Sequence, residues 1–73
     1  MRNKIALETI TDVNEFLKIT SSIDGAQITV TDDKGMRVNA RSLMGMLYAL
    51  EFDELWCESD VDIYSKIEKF VID

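Results

Sequence analysis

Few side chains in this chain could do chemistry, and Ser42 is the best placed of them. It follows Arg41 and precedes the apolar run from Leu43 to Leu47, so it is predicted to N-cap a helix that reaches about Leu50. The sequence contains no histidine, and Cys57 is its one cysteine. Imidazole chemistry and an internal disulfide are therefore excluded, and a zinc site is not expected. We expect no catalytic residue, no cofactor and no metal.

Composition describes one small acidic domain over residues 1–73. A chain of this length buries roughly 60% of its unfolded surface, which supports a single core. The net charge of −6 does not suit nucleic acid, whose binding draws on clustered lysine and arginine. Because the sequence shows no signal sequence or membrane span, no membrane partner is expected and the cytoplasm is the predicted compartment.

Period-two alternation predicts the strands. It occurs in residues 4–10, and more clearly in residues 27–32, where Ile28 and Val30 share one face. Residues 32–35 resemble a hairpin loop with a terminal glycine, after which a returning strand begins at Met36. A fourth strand places Leu55 and Cys57 on the inner face and Trp56 on the outer one.

Capping residues and helical spacing predict two further helices. The first is capped by Thr11 or Asp12, with Asp12 and Glu15 as a capping-box pair, and it stops at Gly25. The last is capped by Ser59 or Asp60. Its inward stripe is predicted to contain Ile63, Tyr64, Ile67, Phe70 and Val71.

The element order is therefore strand, helix, strand, strand, helix, strand, helix. Such an order predicts an α+β fold with a four-stranded, mainly antiparallel sheet and three helices on one face.

The run from Val38 to Gly45, Val-Asn-Ala-Arg-Ser-Leu-Met-Gly, resembles the segment around the regulatory serine of the HPr family, the phosphocarriers of the bacterial sugar phosphotransferase system. The resemblance extends from Gln27 to the last helix and implies an HPr-like open-faced β-sandwich of βαββαβα topology. It also implies protein partners of the phosphotransferase or carbon-regulation type.

The first third departs from the HPr pattern. Family members carry a phosphorylated histidine, an arginine and a proline before the first helix, whereas the corresponding residues 8–13 contain none of these and look shortened. Phosphoryl transfer of that kind needs the imidazole nitrogen as nucleophile. Glu8 or Asp12 could in principle form an acyl phosphate, but an acid at that position usually caps the helix. The chain is thus similar to the histidine-lacking, catabolite-repression branch.

Ser42 has two interpretations. The resemblance implies a site for regulatory phosphorylation, where the helix dipole and Arg41 would favour the added charge. The alternative is an N-cap alone.

The apolar residues after Ser42 also have two interpretations. Leu43, Met44 and Leu47 match the patch through which HPr-like proteins dock on partners, and a short helix cannot turn every apolar residue inward. The alternative is that they belong to the core, as we expect for Met46 and Leu50.

Charge and Trp56 leave further alternatives open. Residues 34–50 contain three bases and no acid, whereas residues 51–62 contain six acids and no base. This contrast indicates either a polarised surface, on which Lys34, Arg37 and Arg41 steer acidic partners, or ordinary solvated faces.

Trp56 on the open sheet face has two interpretations: it supports self-association, or it is a partly covered surface aromatic. A monomer or a weak homodimer is expected, and a structural or oligomeric module that keeps the fold is the alternative function.

Overall fold

The chain forms an α+β domain with one four-stranded sheet and three helices, in a computed structural model that describes residues 1–72. The strands are β1 (Arg2–Ile5), β2 (Ile28–Thr31), β3 (Arg37–Asn39) and β4 (Leu55–Ser59). The helices are α1 (Ile10–Ser21), α2 (Leu43–Ala49) and α3 (Tyr64–Ile67), the last followed by a 3₁₀ turn (Glu68–Phe70). The predicted α+β class, with its four-stranded antiparallel sheet and three helices, and the predicted order of elements are confirmed.

The sheet has the order β1-β4-β2-β3, and all three neighbouring pairs are antiparallel. Hairpin β2–β3 turns at Gly35, whose φ of 97° is a conformation that glycine adopts without strain. The C-terminal segment adds a bridge between Ile5 and Val71 on the other side of β1. β1 begins and ends earlier than the predicted residues 4–10, and β2 is one residue shorter at each end than the predicted residues 27–32. β1 ends at Ile5, whose partner residue, Leu55, is the first of β4.

A single core lies between one face of the sheet and the helices. Inward residues of the strands pack there against the apolar stripes of α1, α2 and the C-terminal segment. The fully buried side chains of largest volume are Phe16, Ile5, Met46, Ile67, Val13, Val30, Thr20 and Cys57. Phe16 and Phe70 meet edge to face, with ring centroids 5.6 Å apart.

The predicted start and stop of α1 are wrong. Its N-cap is Thr9, whose hydroxyl accepts a hydrogen bond from the backbone N–H of Asp12 at 3.2 Å. The Asp12 carboxylate in turn accepts from the backbone N–H of Glu8 at 2.9 Å, so the capping pair lies earlier in the chain than predicted. The helix ends at Ser21, and Gly25 makes a later turn with a φ of 76°.

The predicted start of the last helix is also wrong. α3 begins at Tyr64, whose N–H donates to the side chain of Asp62. Asp60 instead accepts from the backbone N–H of Gln27, which places it at the end of the sheet. Ile63, Ile67 and Phe70 are buried as predicted and Val71 is half-buried, but Tyr64 is exposed. Ile63 and Ile67, four positions apart, occupy the inward face, and Tyr64 lies to one side of them on the surface.

None of the helices in residues 1–72 is long and apolar enough to cross a membrane.

Candidate functional site

α2 begins at the N-cap that the sequence predicts. The Ser42 hydroxyl oxygen accepts a hydrogen bond from the backbone N–H of Gly45 at 3.1 Å, and the Ser42 N–H donates to the carbonyl of Asn39 at 3.1 Å. At Gly45 a Cβ would lie 3.3 Å from that of Val38, closer than most such contacts. Glycine therefore lets α2 lie close against the end of β3.

Arg41 holds the end of α1, a role that the sequence did not indicate. Its guanidinium donates to the backbone carbonyls of Thr20 (3.0 Å), Ala26 (2.7 Å) and Ile23. The Thr20 hydroxyl donates to the buried carbonyl of Ala40 at 2.9 Å, which ties the same two segments together. The Thr20 carbonyl lies in the last turn of α1, where a cation is favoured, and the other two carbonyls lie in the loop that follows. Docking by Arg41 stays a prediction, and it would compete with these bonds.

The outward face of α2 is apolar. Met44 is 82% exposed, Leu43 54% and Leu47 41%, so the alternative that these three side chains belong to the core is wrong. Met46 is fully buried as predicted, and Ala49 is buried beside it. A seven-residue helix has room for only these two inward positions, which leaves its larger side chains on the surface.

The sequence analysis misplaced Leu50 and missed Tyr48. Leu50 is 38% exposed, so its assignment to the core is wrong: it is the C-cap, and Ala49 occupies the inward position. Tyr48 is half exposed, and its ring centroid lies 5.7 Å from that of Phe52. Because Tyr48 follows Met44 by four positions, helical spacing alone would have placed it beside that residue. We call Leu43, Met44, Leu47 and Tyr48 the α2 face.

An acidic groove continues the α2 face towards the β2–β3 hairpin. Its volume is about 210 Å³, and Tyr48 belongs to both surfaces. Its apolar part consists of Tyr48, Phe52 and Met36, the last of which is 45% exposed. The other lining residues are Asp32, Asp33, Lys34, Glu51 and Asp53. We call all eight residues the acidic groove, which contains four carboxylates and one ammonium group.

The bases of residues 34–50 do not form a separate positive surface, so the polarised alternative is wrong. Lys34 lies 3.3 Å from Asp53, whose hydrogen bond and charge raise the lysine's pKa. Arg37 lies 2.7 Å from Glu58. Both acids belong to residues 51–62. They meet these bases because β4 pairs with β2, which brings the β2–β3 hairpin beside residues 51–62.

The open face of the sheet carries Trp56 under a cover of cations. The Arg2 guanidinium carbon lies 4.1 Å from the centroid of the indole ring, and the Lys4 ammonium 5.9 Å from it. Trp56 is half-buried, as a partly covered surface aromatic would be. Within residues 1–72, its Nε1 and the buried hydroxyl of its cross-strand neighbour Thr31 have no hydrogen-bond partner.

Glu58 joins two strands on this open face. Arg37 donates a hydrogen bond to its carboxylate at 2.7 Å and Arg2 donates another at 2.8 Å. Both bonds lower the pKa of the carboxyl group, the one from Arg37 more strongly, and they outweigh burial, which raises it. Lys4 similarly donates to Glu54 at 3.0 Å and lowers its pKa. The indole N–H of Trp56 also lowers the pKa of Glu54, although it makes no hydrogen bond to that carboxylate.

Cys57 and Asp12 both have structural surroundings. Burial raises the pKa of the Cys57 thiol to about 11, so the thiol is neutral at physiological pH. Asp12 serves as part of the α1 cap. Among the described residues, no group of three or more Cys, Asp or Glu side chains could hold a metal ion.

Comparison with protein-family models, with curated proteins and with solved structures gave no match to this chain.

Proposed function

We propose that this chain is a non-enzymatic, HPr-like protein that acts by binding proteins of the phosphotransferase or carbon-regulation type. Its docking surface is the α2 face, and it carries no phosphate on histidine because it has no histidine. Ser42 is the candidate site of regulatory phosphorylation. A reducing cytoplasm is the proposed compartment, consistent with the buried free thiol of Cys57.

The exposure of Leu43, Met44 and Leu47 is the observation that carries this proposal. Three large apolar side chains on one short helix keep an apolar surface in water, which is typical of a protein-binding site. Met44 adds a flexible, polarisable side chain that adapts to different partner surfaces. Support for the HPr-like fold comes from the order of elements and from the run of residues 38–45.

The docking proposal is tested by binding to purified HPr partners, namely HPr kinase, the first enzyme of the phosphotransferase system and the HPr-dependent transcription regulator. Met44→Ser should weaken binding to at least one of them by about tenfold or more, which is the loss of affinity expected when an anchor residue of an interface is removed. Val61→Ser is the matched control, because Val61 is 46% exposed and lies outside the α2 face. Equal binding by both variants, or no binding of the parent protein to any of the three, would refute the proposal.

The phosphorylation part needs a separate experiment. The Ser42 hydroxyl accepts the capping hydrogen bond, and a phosphate oxygen could take over that acceptor role. Incubation with HPr kinase and ATP should add one phosphate, which mass spectrometry detects and which Ser42→Ala abolishes. An unmodified parent protein beside a fully phosphorylated HPr control rules out this form of regulation. A pull-down comparing Ser42→Asp with the parent protein then tests whether charge at this position alters binding.

A structural or oligomeric module is the second candidate function. It is favoured by the open sheet face, where Trp56 is half-buried and not covered by a helix. Sedimentation over a range of concentrations should then detect a dimer that Trp56→Ala disrupts. A monomer throughout that range excludes this candidate.

A further inference from the structure

The acidic groove extends the α2 face with chemistry that the exposed helix alone lacks. Tyr48 lies on both surfaces, so an apolar segment bound along α2 would reach the groove without a break. Met36 and Phe52 continue the apolar floor beyond the helix. A partner in this position would therefore contact apolar side chains first and carboxylates at the far end.

The charges of the groove favour a positively charged partner. Of its four carboxylates, Asp53 is paired with Lys34, and Asp32 accepts the backbone N–H groups of Lys34 and Met36 at 2.8 Å. Asp33 and Glu51 are exposed and are free of such structural bonds within residues 1–72. An acidic partner would be repelled here, whereas lysine or arginine would find acceptors.

The nearby arginines are bound elsewhere and do not offset these acids. Arg37 is bound to Glu58 on the open sheet face, and Arg41 is bound to carbonyls at the end of α1. Within the described part of the chain, Lys34 is the groove's single cationic residue. The end of the α2 face at Tyr48 is thus bordered by acids, and not by the positive steering surface that was one of the two alternatives left open by the sequence.

We propose that the segment docked on the α2 face is a basic amphipathic polypeptide. Its apolar side chains cover Leu43, Met44 and Leu47, and its lysine or arginine side chains lie against Asp33 and Glu51. This inference rests on the proposed docking function and specifies the partner's chemistry.

Two synthetic helical peptides of about 18 residues, which is about five turns, test the inference. Both have a leucine face, and the other face is lysine in one peptide and glutamate in the other. Fluorescence anisotropy should detect binding of the lysine peptide only, and amide chemical shifts should change at residues 43–48 and at Met36. Binding of the glutamate peptide with equal or greater affinity overturns the inference.

Charge-neutralising variants separate the groove from the protein's overall charge. Asp33→Asn with Glu51→Gln should weaken lysine-peptide binding by about fivefold to tenfold, as expected for two rim charges. Asp24→Asn with Glu68→Gln removes the same charge at exposed positions outside the groove and should change affinity by less than about twofold. Equal effects of the two pairs would mean attraction by net charge alone and overturn the inference.

Met44→Ser distinguishes failure of this inference from failure of the docking function. If the glutamate peptide binds and Met44→Ser prevents it, the α2 face is a docking surface and only the basic partner is wrong. If the lysine peptide depends on Asp33 and Glu51 but not on Met44, the groove binds without the α2 face and the docking proposal is wrong. If neither peptide binds, the inference fails, and the binding tests with HPr partners decide the docking function independently.

Discussion

Arg41 should be among the most important polar residues for stability. We predict that Arg41→Met lowers the free energy of unfolding by about 3 kcal/mol. Hydrogen bonds from a charged donor contribute about 1.5–3 kcal/mol each, and Arg41 makes three to backbone carbonyls. The full sum is not expected, because carbonyls in the loop after α1 gain access to water once the guanidinium is removed.

This loss is large for a chain of 73 residues, whose total stability should be about 4–11 kcal/mol. With a urea dependence of about 1 kcal/mol per molar, the unfolding midpoint should fall by about 3 M. Urea titration followed by far-UV circular dichroism measures the change, and the fluorescence of Trp56 provides a second probe. Arg41→Lys keeps the charge but not the fork of donors, so its midpoint should lie between those of Arg41→Met and the parent protein.

Arg37→Met is the matched control. Arg37 also donates two side-chain hydrogen bonds, but its side chain is 57% exposed, and exposed ion pairs contribute about 0–1 kcal/mol. The midpoint for Arg37→Met should therefore fall by less than about 1 M. If the two variants unfold within about 0.5 M of each other, the carbonyl contacts of Arg41 do not stabilise the fold as argued.

Three further predictions follow from buried or bonded groups. The pKa of Glu58 is lowered by Arg37 and Arg2, so its contribution to stability is complete above the unfolded-state pKa of about 4.3 and is lost as the pH falls through the folded value. In urea titrations, Glu58→Gln should lower stability at pH 7, and its difference from the parent protein should shrink as the pH falls below about 4.3. Cys57, with a thiol pKa of about 11, should react with a thiol reagent at pH 8 only as fast as the fold opens, and rapid labelling without urea would contradict its burial. Thr20→Val leaves a buried carbonyl unpaired and should cost about 1–2 kcal/mol by thermal or urea unfolding, whereas no loss would show that the hydroxyl is dispensable.

Features that depend on neighbouring residues could be predicted from the sequence. Alternation identified β2 and the inward pair Leu55 and Cys57, because period two determines which side chains share a face of a strand. The Ser42 cap was predicted because its hydrogen bond spans only three residues. The same physical rule applied to Thr9, and the capping pair with Asp12 was available in the sequence but was placed too late in the chain.

Features that depend on distant residues could not be predicted. Nothing near Arg41 in sequence indicates that its guanidinium meets carbonyls of residues 20–26, since that contact forms only when α1 packs beside α2. The pairing of Lys34 with Asp53 similarly requires the sheet to bring the β2–β3 hairpin to the start of β4. Charge counts along the chain therefore could not decide between a positive surface and ordinary solvated faces.

The bonds of Arg41 also separate two functions that the sequence placed together. Regulation at Ser42 was expected to use Arg41 as a partner for phosphate, but that cation already stabilises the end of α1. A phosphate at Ser42 would either draw the guanidinium away from those carbonyls, which would weaken the contact between α1 and α2, or remain without it. Docking through Leu43, Met44 and Leu47 needs no such exchange, because their side chains are already exposed. The proposed partner binding therefore needs no modification, whereas a phosphate that recruits Arg41 must act against the stability that Arg41 provides.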